Sequence, residues 1–233
     1  MKKTTPDIVF LLNATGSMRG CFPSVTQCIS EFVDALGNPD GYSGGLIEDW
    51  RVRVLAYRDR LTDVSNWVID NPFTGDIAEV KSQLAAIEAK GGGDEPESLL
   101  DAMYALTQWS AAEKGAIASP TGWRHIHDAA RVVVIFTDAG CHPTFKTAAG
   151  SDGSVEDLIM ACQTSRLSVL LHAPEMPVYV DLAAMNRLYW EPMGSLTENP
   201  VQALNDYTRN TDFLLKEVLG EIMKARAIAW DIL

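Results

Sequence analysis

The chain alternates between unbroken apolar runs and apolar residues at helical spacing. Ile8-Val9-Phe10-Leu11-Leu12 and Val132-Val133-Val134-Ile135-Phe136 contain no polar position. Such runs mark strands buried on both faces, whereas a half-exposed strand would alternate apolar with polar. Val52 to Tyr57 and Leu167 to Leu171 read as further strands, Val64 to Ile69 as a short one after a turn, and Leu188 to Trp190 as a short edge strand. Val25, Cys28, Ile29, Phe32, Val33 and Leu36 fall on one helical stripe that stops at Gly37. Ile77 to Ala89, a segment opened by Pro96, Val155 to Cys162, Val178 to Leu188 and Thr211 to Ala229 carry helical patterns as well.

Strands alternating with helices at this spacing predict an α/β fold: a doubly wound, mostly parallel, Rossmann-like sheet with one short antiparallel edge strand and helices on both faces. No repeat and no low-complexity linker divides the chain. Residues 1–233 therefore read as one domain, with 108–130 a loop or helix insertion and 210–233 the C-terminal helix and tail.

Composition narrows the functional classes. Of 233 residues, 47% are hydrophobic and 21% charged, which suits a globular chain rather than a disordered one. The balance of 19 Lys+Arg against 31 Asp+Glu gives a net charge of −12. Nucleic acid and anionic membrane both need a cationic face, so neither is expected as a partner. No apolar stretch reaches membrane-spanning length, and Ile8 to Leu12 is too short for the core of a secretory signal. A cytoplasmic protein is the expectation. Cys21, Cys28, Cys141 and Cys162 form no C-x-x-C pair and read as free, mostly buried thiols in a reducing compartment.

In doubly wound sheets, ligands sit beyond the carboxyl ends of the strands. The first buried strand runs into Asn13-Ala14-Thr15-Gly16-Ser17-Met18 and the second into Thr137-Asp138-Ala139, while Gly91-Gly92-Gly93-Asp94-Glu95-Pro96-Glu97 lies at the mouth of a helix. Three loops rich in hydroxyl, amide and carboxylate oxygens should converge there. A hard cation such as Mg²⁺ takes such ligands. Thr15 and Ser17, two apart in a turn, can point both hydroxyls at one ion, and Asp138 would supply charge. The competing reading of Thr15 and Ser17 is helix capping. For Asp94, Glu95 and Glu97 it is stabilisation of a helix N-terminus.

Other groups point less clearly to chemistry. Asp59, between Arg58 and Arg60, reads as a solvated or ion-paired turn residue, the alternative being that it supports the site's ligands from behind. His125 and His127 could face one way as a zinc pair would, but no third ligand has a convincing position. Cys141-His142 are adjacent in a turn, an arrangement that seldom aligns a nucleophile with its base. The glycine triplet lacks dinucleotide-binding spacing, and no G-x-x-x-x-G-K-[ST] or G-x-S-x-G occurs.

Taken in order, these motifs resemble the von Willebrand factor A (vWA) domain of bacterial type. That family's metal-ion-dependent adhesion site (MIDAS) has Asp-x-Ser/Thr-x-Ser after the first strand, a Thr or equivalent in a middle loop, and an Asp after the fourth strand. Asn13-Ala14-Thr15-Gly16-Ser17 matches the first element except that Asn13 stands where the family has Asp, and Asp138 matches the last. Tyr57-Arg58-Asp59, the segment from Gly91 to Glu97 and His142-Pro143 are similar to bacterial members, and the resemblance covers residues 6–190. The middle loop offers no Thr, and Asp94 is the nearest substitute.

The resemblance implies a protein-interaction module rather than an enzyme. Asn13, Thr15, Ser17, Asp138 and Asp94 would hold Mg²⁺ (or Mn²⁺ or Ca²⁺), weakly because Asn13 lacks the carboxylate charge. The partner would be a protein presenting an Asp or Glu, and bacterial relatives often work beside MoxR-like AAA+ ATPases. One alternative is a metal-independent scaffold of the same fold with a degenerate site. Another is a Mg²⁺-dependent phosphatase, whose Asp nucleophile would have to occupy the place of Asn13.

Overall fold

The computed structural model describes residues 5–38, 47, 49–93, 95–194 and 199–230, with side chains up to residue 225. In chain order the elements are β1 (Pro6–Asn13), a 3₁₀ turn (Gly16–Gly20), α1 (Phe22–Gly37), β2 (Arg51–Tyr57), β3 (Val68–Asp70), α2 (Ile77–Ala85), α3 (Leu99–Thr107) and β4 (Ala130–Phe136). A small hairpin, β5 (Phe145–Lys146) and β6 (Asp152–Gly153), precedes α4 (Val155–Thr164). Then follow β7 (Leu167–Ala173), α5 (Pro177–Leu182), β8 (Leu188–Pro192), α6 (Pro200–Thr208) and α7 (Thr211–Trp230).

Six strands form one sheet in the order β3-β2-β1-β4-β7-β8, parallel except for β3. All eight residues of β1 are buried, because it lies at the centre with helices on both sides. Its even positions, Ile8, Phe10 and Leu12, pack with α1, α2, α6 and α7. Its odd positions, Val9 and Leu11, pack with α3, α4 and α5. The chain leaves β1 towards β2 on one side and returns to place β4 on the other. That reversal opens a crevice beyond the carboxyl ends of β1 and β4.

The α/β class, the mostly parallel sheet and the single antiparallel edge strand match the sequence expectation. Several boundaries do not. The short strand expected over 64–69 is confined to Val68–Asp70, because Asp63 and Asn66 close turns ahead of it. The α2 pattern ends at Ala85 rather than Ala89. The helix expected to open at Pro96 begins only at Leu99, because Glu97 is pinned in a parallel bridge to Cys141. The helix expected over 178–188 is the shorter α5, and α6 and the 3₁₀ turn had no sequence signal strong enough to name them. Residues 108–129 run through turns, anchored where Phe73, Trp109 and Trp123 pack ring against ring.

All four cysteines are buried and free. Burial pushes Cys21, Cys141 and Cys162 up to about 12 and Cys28 up to about 11. They are therefore inert thiols rather than nucleophiles at neutral pH.

Candidate metal-binding site

The carboxyl end of β1 delivers Asn13 and Thr15 into the crevice, and the end of β4 delivers Thr137 and Asp138 beside them. Thr15 precedes the 3₁₀ turn, but its side chain makes no capping bond. Its hydroxyl instead lies 3.0 Å from that of Ser17, and Ser17 Oγ donates to Asp138 Oδ1 at 3.1 Å. The two hydroxyls and the carboxylate thus meet as the spacing led one to expect.

Asn13 is fully buried and its amide has a fixed sense. Oδ1 accepts from the Thr15 backbone N–H at 2.9 Å, while Nδ2 donates to Asp138 Oδ1 at 3.1 Å and to Thr137 Oγ1 at 3.3 Å. The opposite orientation would set the NH₂ against an N–H and the carbonyl against a carboxylate, so only this one satisfies both neighbours. Asn13 therefore positions Thr15 and Asp138, its carbonyl oxygen already engaged by the backbone.

Asp94 lies outside the described residues. The middle loop nevertheless contributes an acid that the sequence reading assigned to a helix N-terminus. Glu97 is only 3% exposed, and its Oε2 has no hydrogen-bond partner. Two backbone bonds hold it there, Glu97 N–H to Gly140 O and His142 N–H to Glu97 O, both 2.9 Å. Gly92 brings the loop close: at its φ of +94°, a Cβ would lie 2.6 Å from Thr15 Cβ and 2.7 Å from Glu97 Oε1. Only glycine fits both the conformation and the space. Glu97 and Thr15 thus flank Gly92 on one wall of the crevice. The only local signal for Glu97 is its place at the end of the segment Gly91 to Glu97; the bridge that aims it inward is tertiary.

The electrostatics follow from burial without a counter-charge. Glu97 is pushed up to about 8, first by burial and then by the charges of Asp59, Asp138 and Asp63, with the Thr15 hydroxyl opposing. Burial also raises Asp138, with Glu95 adding to it and the bonds from Ser17 and Asn13 offsetting part. Two crowded carboxyls, one with an unpartnered oxygen, and two hydroxyls make a donor set that suits a hard divalent cation. Among the described residues no group of three or more His, Cys, Asp or Glu is placed to hold a metal ion, so hydroxyls would have to complete the set. His125 and His127 stand 5.2 Å apart, ring to ring, in a surface turn.

A second layer braces the crevice. Asp59 is 3% exposed, not solvated: its Oδ1 accepts from Ser98 Oγ at 3.0 Å and from the Leu61 N–H at 3.2 Å, and lies 3.0 Å from His142 Nε2. Burial works against its charge, but these donors together hold its carboxyl below the usual range. Asp63 Oδ2 accepts the Gly92 N–H at 2.7 Å, stapling the loop after β2 to the glycine loop. Buried Arg58 fans out to three carbonyls, Ala14, Asn66 and Glu88, at 3.1, 2.9 and 2.8 Å. Lysine carries one nitrogen where arginine places three. Arg58→Lys is expected to cost about 2 kcal/mol in urea unfolding, with unsatisfied carbonyls as the cause. An unchanged midpoint would show that Arg58 does not hold these loops.

The described residues include no helix long and apolar enough to cross a membrane. A family model, the von Willebrand factor type A domain, matches residues 7–193. No curated protein matches the chain. Among solved structures, proximal thread matrix protein 1 from the mussel byssus, with a zinc-occupied MIDAS motif, has a TM-score of 0.56 at 12% identity, over 89% of this chain and 47% of that one. Pilus adhesin SpaC from Lactobacillus rhamnosus GG has a TM-score of 0.55 at 10% identity, over 93% of this chain and 31% of that one. The chain spans less than half the length of either protein, and at these identities the likeness is one of fold.

Proposed function

Because the chain belongs to the von Willebrand factor type A domain family, a family of metal-dependent interaction modules, we propose that it captures an acidic side chain of a protein partner through a divalent cation, Mg²⁺ or a similar hard ion. The observation that carries this reading is the unpartnered, buried oxygen of Glu97 beside Thr15, Ser17 and Asp138. Those four side chains would hold the ion, with Asn13 orienting two of them. The ion would supply the positive charge that lets a partner's carboxylate approach a protein of net charge −12. Leu61 and Val64, 67% and 74% exposed on the loop stapled to Gly92, offer apolar ground beside it. An AAA+ ATPase of the MoxR type is one partner class that fits a bacterial protein of this kind.

Mg²⁺ is expected to raise the melting temperature, since a ligand of the native state at a hundred times its Kd adds about 2.7 kcal/mol. Asp138→Ala should abolish the rise. No rise in the wild-type protein with Mg²⁺, Mn²⁺ or Ca²⁺ would defeat the metal reading. A second reading rests on Asn13, whose neutral amide stands where the family has Asp and donates to Asp138. It makes the domain a metal-independent scaffold, and it predicts that chelator leaves partner capture unchanged, whereas the first reading predicts loss.

A further inference from the structure

At the opposite end of the sheet, three neighbouring parallel strands begin with an arginine. Arg131 is the second residue of β4, and Arg166 and Arg187 stand directly before β7 and β8. Their counterparts on β2 are neutralised: Arg51 pairs with Asp7 at 2.6 Å and Arg53 with Asp70 at 2.6 Å. Among the described residues, Arg131, Arg166 and Arg187 make no ion pair. Arg131 donates to the carbonyls of Arg124 and Ser165 and lies 5.4 Å over the Trp123 ring, with Asp7 the acid whose charge it feels. In a chain with 31 acidic residues, three guanidiniums gathered at one end of the sheet with no ion pair among the described residues are a departure that general solubility does not explain.

A half-open cavity of about 310 Å³ lies here between β7, β8 and α7. Ser168 on its wall is 1% exposed, and its Oγ has no hydrogen-bond partner. Arg187 and Lys224 also line it, with Leu188 and Tyr189 as the apolar part. The one carboxylate on the wall, Glu221, is bound to Lys224 at 2.6 Å. A recess of about 10 Å³ that shares Arg187 adds Arg131 and Arg166. Burial first, and then the like charge of Arg166, disfavour the Arg187 cation, with the charge of Glu221 opposing them. Arg166 and Arg187 are also the described non-glycine residues with left-handed backbone, at φ +53° and +67°. That conformation costs an ordinary side chain energy, and both positions orient an arginine along the same edge.

We propose that this cavity binds a small phosphate monoester with an apolar body, its phosphate taken by Arg187 and the Ser168 hydroxyl. The guanidinium fork matches a phosphate's paired oxygens, the excess of positive charge suits a dianion, and Leu188 and Tyr189 would cover the organic part.

Calorimetric titration at constant ionic strength tests the proposal, using phenyl phosphate, inorganic phosphate and benzoate on the full chain. One-to-one binding of phenyl phosphate is expected, with inorganic phosphate weaker and benzoate weakest. Arg187→Asn, which tolerates the left-handed backbone, should weaken phenyl phosphate by about tenfold or more. Ser168→Ala should weaken it several-fold while leaving the urea midpoint unchanged or raised. No binding to the wild-type chain at about 1 mM, benzoate binding as tightly as phenyl phosphate, or unaltered affinity in Ser168→Ala would overturn it.

Discussion

Glu97→Gln is expected to stabilise the metal-free protein at alkaline pH, by on the order of 4 kcal/mol near pH 9, and to leave it nearly unchanged at pH 5. The sign follows from proton counting. In the unfolded chain the carboxyl loses its proton near its ordinary value of 4.5, while in the folded chain it holds the proton up to about 8. Between those values the folded state binds more protons, so stability falls as pH rises, and above about 8 the whole penalty is present. Gln mimics the protonated form and escapes it. Fully buried His172, lowered to about 3 by burial, gives the opposite slope below its unfolded value of 6.5. That contribution is common to both proteins and cancels in their difference. Urea unfolding in chelator at pH 5 and pH 9 makes the comparison. A stability difference that is the same at both pH values would mean that Glu97 is not the buried acid described. In the same variant the Mg²⁺ response at neutral pH should be lost.

Asn13→Asp should have the second largest effect, with opposite signs in the two metal states. Without metal the new carboxylate would stand against Asp138 Oδ1, where Nδ2 now donates at 3.1 Å, and the donation to Thr137 would go as well. Like charges at that distance in a buried site force one group to keep a proton, so the metal-free variant should lose about 2–3 kcal/mol near neutral pH. With Mg²⁺ present the added charge favours the ion, and affinity should rise about tenfold. The measurement is the urea midpoint in chelator and in saturating Mg²⁺. Equal Mg²⁺ responses in the two proteins would show that position 13 does not face the ion.

How far the site could be read from the chain depended on whether its parts are local. Thr15 and Ser17 share one turn, and Asp138 ends an unmistakable strand, so order and spacing were enough to bring them together. Asn13 was visible as a departure, but its role turned on which neighbours its two amide atoms meet, and those are Thr15, Thr137 and Asp138. For Asp59 the flanking arginines favour a solvated or ion-paired turn residue over one that supports the site. Asp59 is buried because Ser98 and His142, from two distant segments, close over it.

The sequence by itself determined the α/β class, the burial of β1 and β4 on both faces, and the strand ends at which chemistry collects. Those features follow from hydrophobic periodicity, which acts residue by residue along the chain. Only the tertiary structure decided that Glu97 belongs to the crevice. Its neighbours in sequence equally suit a helix-capping acid; the isolated parallel bridge to Cys141 delays α3 to Leu99 and holds Glu97 in the crevice. The same holds at the far end of the sheet, where Arg131, Arg166 and Arg187 are far apart in sequence and become one basic edge because β4, β7 and β8 lie side by side in parallel register. A parallel sheet gathers the starts of its strands at one end and their ends at the other, and that gathering is what a linear reading cannot supply.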